Sequence, residues 1–114
     1  MLFYEDGDHS AKFLKIVNNH TKESNVSPMV IPATGFITTA TLSSEDPVGA
    51  VDTSYEIRIN TTVGIPLATI NTLTYQKLWT GLSIPVTAGD LMNVYAIDNG
   101  GIKKVKNGVL QLIY

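Results

Sequence analysis

Apolar residues in this chain alternate with their neighbours and never recur at helical spacing for long enough to build a helix face. That property restricts the fold more than any other. Stretches rich in Thr, Ile, Val and Tyr follow a two-residue period, which places successive side chains on opposite faces of a strand. Branched and aromatic side chains also pack well on a pleated surface. Strands are therefore expected at 11–18, 29–31, 35–43, 54–61, 67–70, 73–79, 82–86, 90–98, 102–105 and 108–114. Turn formers separate them, among them Ser27-Pro28, Ala88-Gly89-Asp90, Asn99-Gly100-Gly101 and Asn107-Gly108. The Asn-Gly steps suit left-handed turns, so the last three strands are expected to form a meander of neighbours. Residues 43–53 read as a long surface loop.

A chain of 114 residues can bury one core without staples. Many short strands with frequent turns predict an all-β, jelly-roll-like antiparallel β-sandwich in a single domain over 11–114. Residues 1–10, with Glu5, Asp6 and Asp8, read as a polar, disordered N-terminal arm. Those acids stand where a signal peptide would need positive charge, so secretion by that route is not expected. The apolar runs are too short to span a membrane.

Charge and residue type narrow the chemistry. The net charge is −2 and cysteine is absent, so thiolate chemistry, disulfides and Cys-rich zinc sites are ruled out. The only clustered bases are Lys103, Lys104 and Lys106, better read as guards of a strand edge than as a nucleic-acid surface. The acids Glu5, Asp6, Asp8, Glu45 and Asp46 are expected to be solvated. Asp90, following Gly89, is expected to bond nearby backbone N–H groups in a turn rather than take part in catalysis. Only His9 and His20 could supply imidazole, in separate segments. No Gly-x-Ser-x-Gly elbow occurs. No catalytic residue, cofactor or metal site is expected, and the chain is not expected to be an enzyme. Trp79 is expected to pack in the core.

Strand 54–61 divides cleanly, with Tyr55, Ile57 and Ile59 facing the core and Glu56 and Arg58 facing outward. Two other strands do not divide. In 90–98 one face reads Leu91, Asn93, Tyr95, Ile97 and the other Met92, Val94, Ala96, Asp98; in 108–114 both faces are again apolar.

The segment "IPVTAGDLMNVYAID" resembles the part of C1q/TNF-like jelly rolls where a Gly-Asp turn leads into an apolar strand. The chain, with "GFITTATLSS", "SYEIRINTT" and "GVLQLIY", is also similar in style to small β-sandwich virion proteins of tailed phages, the head-fibre and capsid decoration type. The resemblance implies a homotrimer around an apolar axis, in which a second apolar face is covered by another subunit. Leu91, Tyr95, Ile97, Leu112 and Tyr114 are the expected interface residues. The implied function is a structural virion surface protein without catalysis, made in the host cytoplasm and placed on the capsid. Its partners would be the major capsid protein or another virion protein, with neither nucleic acid nor membrane. The alternative is a carbohydrate- or receptor-binding module of a phage fibre tip, for which a glycan is the partner.

Overall fold

The computed structural model describes residues 1–9, 11–17, 22–45, 53–60, 68–72, 76–98 and 104–114. Among them are antiparallel strands and no helix. In chain order these are β1 (Leu2–Tyr4), β2 (Asp8–His9), β3 (Lys12–Phe13), β4 (Lys15–Ile16), β5 (Met29–Val30), β6 (Gly35–Ile37) and β7 (Thr39–Ser43). They continue as β8 (Thr53–Ile59), β9 (Ala68–Thr72), β10 (Lys77–Trp79), β11 (Ile84–Val86), β12 (Leu91–Asp98), β13 (Val105–Lys106) and β14 (Val109–Ile113).

Their pairing is nested. β1 pairs β14, β2 pairs β13, β3 pairs β12, the β6–β7 segment pairs β11 and β10, and β8 pairs β9. A long antiparallel ribbon rolled on itself has this order, and rolling produces a jelly roll of two facing sheets. The first sheet runs β10-β7-β14-β1-β4; the second runs β3-β12-β8-β9, with β5 also on β12. The Cα radius of gyration is 13.1 Å, close to the roughly 13 Å of a single compact domain of this length.

The core lies between the sheets. Phe3, Ile16, Ala40, Leu42, Leu110 and Leu112 point inward from the first, and Tyr55, Ile57, Met92, Val94 and Ala96 from the second; all are buried. Trp79 and Ile59 pack against this cluster as partly buried residues, in agreement with their sequence reading.

Two continuous segments divide because each passes from one sheet to another, residues 11–17 between the two large sheets and β6–β7 from the two-stranded β6–β11 ladder to the first sheet. Residues 11–17 belong to the second sheet through β3 and to the first through β4, crossing at the buried Leu14. The Leu14 N–H still bonds Val94 O at 2.9 Å, and Ser24, fully buried, donates its N–H to Leu14 O and accepts the Val94 N–H on Oγ. Between β6 and β7, Thr38 donates to Ile113 O while its own carbonyl accepts the Leu82 N–H.

Two expectations are corrected. The N-terminal segment is not a free arm: β1 is flanked on both sides in the first sheet and Phe3 is fully buried. Apolar Leu2-Phe3-Tyr4, ahead of the acids, carries enough hydrophobic surface to complete the sheet. The C-terminal third is not a meander, because β12 lies in the second sheet, β13 pairs β2, and β14 lies in the first sheet between β7 and β1. Nesting sends each C-terminal strand to an N-terminal partner rather than to its neighbour in sequence. Residues 46–52, most of the long surface loop, and the turn at 99–101 lie outside the described residues.

Candidate functional site: the outer faces of the two sheets

Each sheet has an outward face, and their chemistry differs. On the second sheet the residues of β12 that point away from the core are Leu91, Asn93, Tyr95 and Ile97, opposite Arg58, Glu56 and Ser54 of β8, and of these Asn93 and Ser54 are themselves buried. Phe13 of β3 lies beside Tyr95 with ring centroids 4.8 Å apart. The Arg58 guanidinium stands over both rings, 5.5 Å from the Phe13 centroid and 5.0 Å from that of Tyr95. Its Nε and Nη2 donate to Glu56 Oε2 at 3.1 and 3.0 Å. A guanidinium over aromatic faces gains quadrupole attraction and shields the rings from water, and the carboxylate beside it holds its orientation. The apolar outer side of β12 is thus covered in large part by its own subunit. Farther along, Leu91 pairs with Val30 of β5, and both side chains are exposed.

On the first sheet the outward face is built from three rows. Leu78, Thr41, Gln111 and Leu2 lie opposite one another in β10, β7, β14 and β1; Thr39 faces Ile113; Ser43, Val109, Tyr4 and Lys15 form the third. Leu78 is 60% exposed, Ile113 38% and Leu2 37%. This face has no carboxylate among the described residues. The one side-chain cation on it among the described residues, Lys15, stands on edge strand β4 within 3.5 Å of Glu5 Oε1.

The sequence-predicted interface residues do not form one surface. Leu91, Tyr95 and Ile97 lie on the outer face of the second sheet, with Tyr95 half-buried beneath Arg58. Leu112 is 1% exposed and belongs to the subunit's own core, so it cannot reach a partner. Tyr114 is exposed, but it turns back on its own chain: its hydroxyl donates to Ala33 O at 2.9 Å and its ring lies against Gly35. In β14 both faces are apolar, as the sequence shows, but Leu110 and Leu112 enter the core, so the outward face is that of Val109, Gln111 and Ile113. Leu2 is absent from the expected interface because the acids after it make the whole segment read as polar, although Leu2 and Tyr4 alternate with the inward Phe3.

Glu5 also departs from expectation. It is 4% exposed rather than solvated, with Lys12 Nζ at 3.3 Å and Lys15 Nζ at 3.5 Å from Oε1. Its N–H donates to Gly108 O. Two ammonium groups from the segment that crosses between sheets offset the burial of Oε1, while Oε2 is buried without a hydrogen-bond partner. Asp90 behaves as the sequence suggested: Oδ2 accepts the Thr87 N–H at 3.1 Å, closing the turn around Gly89, whose φ is 89°. Asn60, with φ 60°, donates to Asp90 Oδ1 and accepts the Leu91 N–H, tying the end of β8 to that turn. Lys104 pairs Asp98 at 2.7 Å and Lys106 is exposed on β13, whereas Lys103 lies outside the described residues.

Among the described residues no group of His, Asp and Glu is arranged to hold a metal ion. His20 lies outside them. No family model matches the chain, and searches of curated proteins and of solved structures return no match.

Proposed function

We propose that this chain is a non-catalytic structural module of a virion surface, a homotrimeric capsid decoration or head-fibre domain of a tailed phage. The observation that carries the reading is the outer face of the first sheet. It joins three exposed aliphatic side chains, Leu2, Leu78 and Ile113, with neutral Thr and Gln residues, and with Lys15 confined to the edge strand β4 such a face can meet its own copy through β10, β7, β14 and β1 without burying like charges. Covering each of these partly exposed side chains is worth about 1 kcal/mol, and threefold symmetry repeats the gain in every subunit. The jelly roll is a fold used in viral capsid domains, which supports the setting by analogy of fold. The resemblance of "IPVTAGDLMNVYAID" to C1q/TNF-like jelly rolls supports trimeric association, while the choice of face rests on the exposed first sheet alone, since β12 lies in the second.

The glycan-binding reading is weaker, because Arg58 already occupies the faces of the Phe13–Tyr95 pair on which a sugar would stack. Light scattering and capsid co-sedimentation test the proposal together. The wild type is expected at three times the subunit mass and bound to the capsids of its phage. Leu78→Lys with Ile113→Lys is expected to yield folded monomers. A wild type that remains monomeric at every concentration would remove the trimer. A trimer that ignores capsids and binds a glycan array would move the function to the fibre tip.

A further inference from the structure

Independently of that function, we propose that Asn107 is a deamidation site whose conversion irreversibly opens a latch between three loops. Asn107 lies in the turn between β13 and β14 and is exposed, with φ 50°. Its carboxamide is used on both sides: Oδ1 accepts the Gly7 N–H, and Nδ2 donates to Glu45 Oε2. Its backbone N–H bonds Gly7 O at 3.0 Å, while the Glu45 N–H bonds Lys106 O at 3.0 Å. One side chain thus joins the loop before β2, the segment after β7 and the β13–β14 turn.

The following residue is Gly108. Without a Cβ, it puts no side chain between its backbone nitrogen and the Asn107 carboxamide, and because Gly108 is buried in the closed turn, their approach waits on local opening. In the reaction that nitrogen gives up its proton and bonds to Cγ of Asn107. The Cγ–Nδ2 bond breaks and the amide nitrogen leaves as ammonia, carrying that proton. The resulting cyclic imide is opened by water at either carbonyl, to aspartate or to isoaspartate with one extra methylene in the backbone.

The latch controls both ends of this sequence. While closed, its hydrogen bonds hold the carboxamide on Gly7 and Glu45, so conversion requires local opening. Once converted, the group that donated to Glu45 has become a carboxylate facing a carboxylate, and isoaspartate also lengthens the turn. Closure is then opposed by like-charge repulsion and by the lost donor.

The test follows conversion at position 107 by peptide mass spectrometry in native protein and in the urea-unfolded chain under the same mildly alkaline conditions. Native protein is expected to convert measurably, at least about tenfold more slowly than the unfolded chain. Hydrogen exchange then reads the latch: Asn107→Asp is expected to lose protection at the Gly7 and Asn107 amides. Adding Glu45→Gln is expected to restore it, since the new amide can donate to the aspartate. Equal conversion rates in the two states, no native conversion, or wild-type protection in Asn107→Asp would each overturn the proposal.

Discussion

Tyr55 shows what burial does to a single side chain. It is fully buried, and desolvation raises its phenol well above the ordinary value of 10.0, because the interior disfavours the phenolate. The sign of the consequence follows from proton counting. Below pH 10 both folded and unfolded states keep the proton and stability is unaffected. Above it only the unfolded chain releases the proton, so stability falls as pH rises, by about 1.4 kcal/mol per unit from this group. Ultraviolet titration is expected to show the Tyr55 phenolate appearing together with unfolding, and a Tyr55→Phe variant is expected to lose that part of the alkaline slope. Tyr55 ionising reversibly in folded protein would contradict this account. Its inward position was legible from the alternation Tyr55, Ile57, Ile59. Burial of Glu5 was not, because the lysines that make it tolerable come from residues 12 and 15, and their approach depends on the path of the chain.

At the scale of elements, β12 and β14 share a pattern and have different solutions. Both are apolar on two faces, and in each one face enters the core. The other side of β12 is roofed in part by Arg58 from the neighbouring β8, with Glu56 fixing the guanidinium; the other side of β14 remains outward with Ile113 exposed. Arg58→Ala is therefore expected to destabilise the subunit by about 1–2 kcal/mol, through loss of cation–π contact and of cover over Phe13 and Tyr95. Arg58→Lys is expected to recover only part of this, since an ammonium lacks the planar fork that holds Glu56. Urea denaturation gives both numbers. An Arg58→Ala midpoint equal to wild type would mean that the rings need no cover.

For the whole molecule, nested pairing makes the outermost contacts the most distant in sequence. β1 and β14 are neighbours in the middle of the first sheet, although Phe3 and Leu110 stand at opposite ends of the chain. Bringing such segments together costs loop-closure entropy before any contact compensates for it, so folding is expected on the millisecond-to-second scale of all-β sandwiches. Stopped-flow refolding measures this directly. Because β1 completes a central part of the sheet, Phe3→Ala is expected to cost about 3–5 kcal/mol. A microsecond refolding phase carrying the full amplitude would be incompatible with this topology.

Local alternation was sufficient for the all-β class, for the inward positions of β8 and for the Gly89-Asp90 turn, because each depends on a few adjacent residues and on backbone geometry that neighbours in sequence control. Tertiary structure decided which face of β14 is covered, that the first residues form a central strand, and that Arg58 roofs Tyr95. A two-residue period reports only that side chains alternate. Which side is wet is settled by the partner strands, and in a nested ribbon those partners come from the far end of the chain.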